Sequence, residues 1–249
     1  MLGSSSGTTP ETIAAAGLAR ERGAATVAIT RKADSPLAGA VDHTLSVEAT
    51  TGIADCKLLL LYLVLFFLPG DTEACPRFPD IGRAMAALPS SLVGVRKEAQ
   101  QRAVEFAQAY KDETLFYTIG AGACWGQAYS YAICILEEMQ WITAQPIHAG
   151  EYFHGPFEVI DKDSTLLVLQ GEDLSRPLVE RVISFSKGIT RRMTVIDTKA
   201  YALPGIADSL RGYFSPFVVL AVLDRFSHHL SSVRGHPLSV RRYMGRMSY

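Results

Sequence analysis

The sequence of 249 residues has almost no excess of charge, because 24 lysines and arginines face 25 aspartates and glutamates. A net charge of −1 argues against a nucleic-acid interface, which needs clustered basic residues. Cysteine is scarce, and the four cysteines follow none of the spacings of zinc sites or redox pairs. We therefore expect a reduced, cytoplasmic chain without a disulfide framework.

Long hydrophobic runs are absent as well. The most apolar stretch, 58–68, has eleven residues, whereas a bilayer-spanning helix needs roughly 20. The stretch predicts a buried helix. Because it is apolar on all sides, we expect it to be covered on both faces, at a domain or subunit interface.

What the sequence does contain is a repeated order of glycine-containing loop, helix, strand and helix. This alternation predicts an α/β fold with two doubly wound parallel-sheet subdomains and helices on both faces of each sheet. The predicted helices are 12–22, 53–68, 90–111, 127–140, 177–187 and 215–230, and the predicted strands are 24–30, 43–47, 115–119, 165–170 and 193–198.

Four prolines between 69 and 89 indicate an irregular connection between the two halves. The predicted divisions are a partial first subdomain at 1–75, a connecting segment with a long helix at 76–113, a second subdomain at 114–225 and a C-terminal tail at 226–249. A serine-rich loop follows so closely on Met1 that we expect the first subdomain to be truncated, without its first strand and helix. The tail carries arginines but no acidic residue, so it either binds phosphate or is solvated.

The serine loop, residues 4–9, places several hydroxyls before Pro10 at a predicted helix start. Together with the backbone N–H groups and the positive end of the helix dipole, these hydroxyls suit a phosphate. A second interpretation makes Thr9 a helix cap and the serines a flexible terminus.

Two motifs resemble the sugar isomerase (SIS) domain family. The first resembles its Ser-x-Ser-Gly-x-Thr-x-Glu-Thr signature, at Ser4, Ser6, Gly7, Thr9, Glu11 and Thr12. The second, at 149–161, resembles the Gly-Glu-x-x-His-Gly-Pro block of double-SIS enzymes. These include the isomerase part of glucosamine-6-phosphate synthases and the fructosamine-6-phosphate deglycases. The resemblance implies SIS-type subdomains and phosphate binding by Ser4, Ser6 and Thr9, with Ser5 as a further candidate contact.

The resemblance also implies a catalytic pair. In that family the histidine before Gly-Pro helps to open the sugar ring, and a glutamate sixteen residues earlier moves a proton between C1 and C2. The matching positions are His154 and Glu138, with Glu137 as the alternative if the register shifts by one. A carboxylate and an imidazole suit these two tasks near neutral pH. Glu151 is a candidate substrate contact or a structural residue. No metal or redox cofactor is required.

Two departures favour a deglycase over a synthase-type isomerase. The glutaminase domain is absent, and the last lysine is Lys199, whereas the synthases use a lysine close to the C-terminus. The Arg-Arg-Tyr-x-Gly sequence at 241–245 resembles the ending of fructoselysine-6-phosphate deglycases. The implied substrate is a phosphorylated sugar-amine, cleaved to an aldose 6-phosphate and an amine by a homodimer or higher homo-oligomer, without nucleic-acid or membrane partners. The alternatives are an aldose–ketose or amino-sugar phosphate isomerase, a non-catalytic phosphosugar sensor and an inactive remnant.

Other candidate residues receive structural interpretations. Gly120 and Gly122 resemble the Gly-x-Gly loop of a second SIS half, in which the turn can persist without a ligand. We expect Trp125 to pack rather than to stack on substrate. The remaining histidines have no metal-like spacing and no predicted catalytic role: His43, His148, His228, His229 and His236.

Overall fold

The computed structural model of the chain describes residues 1–47, 53–67 and 78–247. The chain divides into two compact units, Met1–Ile81 and Gly82–Tyr249. Each unit has a parallel sheet, one of three strands and one of four strands among the described residues. The predicted α/β class with two parallel sheets is therefore confirmed.

The first unit has the strand order β1-β2-β3. Its elements are β1 (Leu2–Gly3), α1 (Pro10–Glu21), β2 (Val27–Thr30), α2 (Pro36–Gly39), β3 (His43–Ser46) and α3 (Ile53–Phe67). The expectation that no strand precedes the serine loop is wrong, since Leu2 and Gly3 pair with Ala28 and Ile29. Among the described strands, β1 pairs with β2 only.

Helix α3 is the apolar helix that the sequence predicts, but it is not buried in the single chain. The described side chains from 56 to 66 are half-buried, and Leu65 is 52% exposed. The helix is therefore only partly covered by the described residues of one chain, and its predicted coverage at a domain or subunit interface stays a prediction.

The remaining elements form a four-stranded sheet with helices around it, in the order β5-β4-β6-β7. They are α4 (Phe78–Glu98), α5 (Gln100–Tyr110), β4 (Leu115–Gly120), α6 (Trp125–Ser130), a π-helical segment (Tyr131–Glu137), α7 (Glu138–Gln140), β5 (Thr143–His148), β6 (Thr165–Gln170), α8 (Arg176–Ser186), β7 (Met193–Asp197) and α9 (Arg211–Arg234). Every residue of β6 is buried, and α5 packs on α9 through the stacked rings of Phe106 and Phe226, 4.3 Å apart.

The predicted irregular connection at 69–89 is wrong for its described part, because α4 continues through Pro89. The helix survives its interior proline because one face carries buried apolar side chains at helical spacing. These are Ile81, Met85, Leu88, Leu92 and Val95. Residues 69–77 of the predicted connection lie outside the described residues.

Strand β5 has no counterpart among the predicted strands. Its sequence includes Pro146, which argues against a central strand because proline cannot donate to the ladder. β5 is the edge of its sheet, pairing only with β4 among the described strands, and an edge tolerates the missing N–H.

Candidate functional site

The serine loop connects the carboxyl end of β1 to the start of α1. Ser4 is buried, its hydroxyl lies 2.9 Å from that of Thr9, and its oxygen accepts the Gly7 N–H at 3.1 Å. Ser5 and Ser6 are exposed, as is Thr9. The structure thus places the four predicted phosphate contacts in one loop, with Ser4 holding its shape and the other three accessible.

Gly7 fixes the path of this loop. Its φ of +69° favours glycine, and a Cβ there would overlap the side chain of Ser35. The Gly7 carbonyl accepts the Leu37 N–H at 2.9 Å, while the Ser35 hydroxyl accepts the Ala38 N–H and caps α2. The loop is therefore packed against α2 at its centre, so its hydroxyls are held in place.

The start of α1 faces this loop without a side-chain cap. Thr9 makes no capping bond, and Pro10 occupies the first turn. Ser6 instead accepts hydrogen bonds from the Thr8 N–H at 3.2 Å and the Thr8 hydroxyl at 2.8 Å. Uncapped N–H groups at a helix start, next to hydroxyls, form a setting in which a phosphate binds well.

The Gly120–Gly126 loop in the second unit is arranged differently. Asp173 accepts the Ala123 N–H at 2.9 Å through one oxygen and the Ser175 N–H at 2.7 Å through the other. A Cβ at Gly122, whose φ is +51°, would overlap Ser175 and approach Asp173. A carboxylate of the protein thus accepts the bonds that a ligand anion would accept at this turn.

Cys124, in the same turn, is buried. Burial raises the pKa of its thiol to about 12, so the sulfur is protonated and unreactive near neutral pH.

Glu137 and Glu138 lie where the π-helical segment passes into α7. Glu137 accepts the Ala144 N–H at 3.2 Å and so fixes the start of β5. Glu138 accepts a hydrogen bond from Arg241 Nε at 2.8 Å. Glu137, the one-residue alternative, therefore has a structural task, and both glutamates line a cavity of about 660 Å³.

The C-terminal tail forms the other wall of this cavity. Arg241 is anchored to its own tail by bonds from Nη1 to the carbonyls of Leu238 and Val240, at 2.7 and 2.9 Å. The Arg242 guanidinium lies over the Trp141 ring, 4.3 Å from its centroid. The described residues that line it are Ile133, Glu137, Glu138, Trp141, Ile142, Thr143, Arg241, Arg242, Tyr243 and Met244.

His154 and Glu151 follow β5 and are exposed. The His154 N–H donates to the Glu151 carbonyl at 2.9 Å, so the bond between them runs through the main chain. Tyr152 anchors this turn, since its side chain is buried and its hydroxyl shares a hydrogen bond of 2.9 Å with the Ser186 hydroxyl. His154 is not among the residues that line the cavity beside Glu138.

The predicted phosphate contacts therefore lie in the first unit, and Glu138, Glu151 and His154 lie in the second. Sequence reasoning missed Arg241 and Asp173. The sequence shows only that the tail has several arginines and no acidic residue, so any ion pair of Arg241 joins it to an earlier part of the chain.

A second, more polar cavity of about 730 Å³ lies at the carboxyl ends of β6 and β7. Glu172 and Arg211 form a nearly buried bidentate ion pair there, at 2.8 and 2.9 Å. Among the described residues, no three His, Cys, Asp or Glu side chains converge as a metal site requires. No helix in the described part of the chain is both long and apolar enough to cross a membrane.

A model of the SIS domain matches residues 1–68. Fructosamine deglycase FrlB of Bacillus subtilis is 40% identical over 258 residues, covering all of this chain and 76% of that protein. Fructoselysine 6-phosphate deglycase of Escherichia coli K12 is 30% identical over 239 residues, covering 96% of this chain and 68% of that protein. The chain belongs to the SIS family, in its deglycase branch.

Solved structures agree with this membership. A Bacillus subtilis crystal structure described as a phosphosugar isomerase has a TM-score of 0.89 and 40% identity, covering all of this chain and 76% of that one. A similarly described structure from Salmonella typhimurium has a TM-score of 0.86 and 32% identity, covering 99% and 76%. The SIS resemblance predicted from the two motifs is thus confirmed, and the protein is a deglycase-like SIS enzyme.

Proposed function

We propose that this enzyme cleaves a fructosamine 6-phosphate, an Amadori product, to an aldose 6-phosphate and an amine. The observation that carries the proposal is the 40% identity, along the whole chain, to a fructosamine deglycase. The second relative is named for a 6-phosphorylated substrate, which supports the phosphate on the sugar.

The serine loop is proposed to bind that phosphate. Ser6 and Thr9 have accessible hydroxyls, and the buried Ser4 holds the shape of the loop. The start of α1 has no side-chain cap, so its backbone N–H groups are further donors. The loop contains no carboxylate that would compete for these donors. Such donors hold a dianion without a metal ion. Ser5, which is also exposed, is the further candidate contact.

Glu138 is proposed to move the proton. Its carboxylate takes the proton from C1 of the ketoamine, leaving an enaminol, and delivers a proton to C2, so that C1 and nitrogen become an imine. One water molecule then adds to the imine carbon, and the C–N bond breaks to release the amine and the aldose 6-phosphate. The cavity beside Glu138 gives the substrate access to this carboxylate.

His154 is proposed to assist ring opening, because the reaction needs the open-chain ketone and an imidazole can exchange the ring-oxygen proton near neutral pH. Its exposed position in a turn fixed by buried Tyr152 supports this role. Glu151, one helical turn earlier in the same block, remains a proposed substrate contact.

A homodimer or higher homo-oligomer is also proposed. The half-exposed apolar helix α3 supports it, because a second copy can supply the apolar surface that this helix lacks. Light scattering of the purified chain should give at least twice the 27.1 kDa of one chain. A polar substitution at the exposed Leu65 should shift the mass towards the monomer.

The decisive experiment measures release of amine and glucose 6-phosphate from fructoselysine 6-phosphate. Glu138→Gln and His154→Ala should each lower kcat by about 100-fold or more, the usual range for an acid–base residue. Glu137→Gln is the matched control and should retain most activity. Isomerisation of fructose 6-phosphate without deglycation would instead identify an isomerase, and phosphosugar binding without turnover would identify a sensor.

A further inference from the structure

The cavity beside Glu138 has a wall that the proton transfers do not use. Trp141, Ile142 and Met244 give it apolar surface, and Arg242 gives it a positive charge. A volume of about 660 Å³ is well within the range of sites that enclose small organic ligands. The cavity is therefore large enough for more than the reacting carbon atoms of a sugar.

The two adjacent arginines of the tail have different partners. Arg241 is half-buried and committed to Glu138 and to two carbonyls. Arg242 is exposed and contacts ring faces, lying 4.3 Å from the Trp141 centroid and 6.0 Å from that of Tyr243. Within the described part of the chain, no carboxylate forms an ion pair with Arg242.

A stacked guanidinium keeps its N–H donors at its edges, where a planar anion can accept two parallel hydrogen bonds. Stacking also removes much of the rotational freedom that an exposed arginine would otherwise lose on binding. Arg242 is thus held in a form suited to carboxylate recognition.

The Trp141 ring, on which the Arg242 guanidinium stacks, is itself held in place. Trp141 has a φ of +56°, which is uncommon for a bulky residue and persists only where packing enforces it. The ring of His236 meets the Trp141 ring edge-on at 4.4 Å, and the His236 carbonyl accepts the Gln140 side-chain N–H at 2.9 Å. The tail therefore holds the indole from one side while Arg242 covers another.

We propose that Arg242, stacked on Trp141, binds a carboxylate on the amine part of the substrate. The inference rests on the proposed function, because C1 carries the substituted nitrogen, and a sugar whose C1 reaches Glu138 places its amine in this cavity. The amino-acid part of a substrate such as fructoselysine 6-phosphate fits this arrangement, because its methylene groups suit the apolar lining and its carboxylate reaches Arg242. Amines without a carboxylate should be poorer substrates.

The test uses two analogues whose C2 carbonyl is reduced to an alcohol, so that neither can form the enaminol. One carries lysine and the other carries 1,5-diaminopentane, which is lysine without its carboxylate. Both have the same phosphate, so a guanidinium that binds phosphate would affect them equally. Affinities are measured by calorimetry for the wild type, Arg242→Met, and the matched control Arg246→Met in the same tail.

The wild type and Arg246→Met should bind the lysine analogue about 10- to 100-fold more tightly, the range for hydrogen bonds to a charged group. Arg242→Met should lose this preference, and Arg242→Lys should restore part of it. The proposal is overturned if the wild type binds both analogues equally or binds neither. It is also overturned if Arg242→Met keeps the preference for the lysine analogue, or weakens the binding of both analogues by the same factor. Turnover of the parent ketoamines is assayed separately, so selective binding without turnover would contradict the proposed function and leave the carboxylate subsite standing.

Discussion

Two loops occupy the same position in similar strand–loop–helix–strand units, yet their chemistry is opposite. The serine loop joins β1 to α1 and contains hydroxyls but no carboxylate, while residues 171–175 join β6 to α8 and contain Glu172 and Asp173. In both units the next strand pairs parallel to the first, and a proline stands in the first helical turn.

The difference teaches how one backbone arrangement serves two purposes. In the second unit the carboxylates of the chain accept the N–H groups of Ala123 and Ser175 and pair with Arg211. Neither α1 nor α8 has a side-chain cap, but the loop before α1 contains no carboxylate to accept its backbone donors. A loop with its own anions is a structural element, whereas a loop without them can receive an anion from solution.

The largest expected effect tests whether the acidic loop is structural. Arg211→Met leaves Glu172 nearly buried without its bidentate partner, and breaking such a pair costs about 3–5 kcal/mol. Urea denaturation should register a loss of this size, while the exposed Arg246→Met should change the free energy of unfolding by less than about 0.5 kcal/mol. Equal effects of the two substitutions would contradict the structural role.

The next test converts the serine loop towards its acidic counterpart. Ser6→Asp places a negative charge beside the proposed phosphate position, and like charges in contact cost several kcal/mol. KM for fructoselysine 6-phosphate should rise by about 100-fold or more, while Ser6→Asn, of similar shape and neutral, should raise it far less. Thermal stability should not fall, since an acidic residue near the start of α1 is favourable to the helix dipole. The same KM for both variants would place the phosphate elsewhere.

A smaller effect on stability is expected when the Asp173 carboxylate is removed from the acidic loop. Asp173→Ala removes the acceptor of the Ala123 N–H and should destabilise the protein by about 1–3 kcal/mol. In a Ser6→Asp background, Asp173→Ala should also create a phosphate-dependent rise in melting temperature, because the second loop then lacks its own anion. If phosphate did not change the melting temperature, this loop could not bind an anion even without the Asp173 carboxylate.

These contrasts also explain what the sequence could predict. Alternating buried strands and amphipathic helices determine the fold locally, so the doubly wound pattern was readable from periodicity. Pro89 and Pro146 led to wrong local predictions. The burial of one face of α4 and the edge position of β5 depend on tertiary structure, which a local pattern does not show. The ion pair of Glu138 with Arg241 joins residues 103 positions apart, and no local pattern encodes such a pairing.

The smallest predicted effect compares two carboxylates that are held by different partners. In the first unit, the pKa of Asp42 is lowered chiefly by hydrogen bonds from the Thr26 hydroxyl and N–H. In the second, burial would raise the pKa of Asp197, but hydrogen bonds from Arg176 at 2.8 and 2.6 Å outweigh it, and the net direction is downward.

A depressed carboxyl pKa in the folded state stabilises the protein above the unfolded-state value of about 3.9, and this stability is lost as the pH falls through the folded-state pKa. Asp197→Asn should therefore cost about 1 kcal/mol at pH 7, and the cost should vanish as the pH falls through the folded-state pKa of Asp197. Unfolding in urea across this pH range measures the difference. High salt should reduce the effect of Asp197→Asn more than that of Asp42→Asn, because a bidentate guanidinium holds Asp197, whereas Thr26 is the main partner of Asp42 and its ion pair with Arg20 at 3.3 Å is exposed. Equal salt dependence at the two positions would mean that charge is not what distinguishes the second unit from the first.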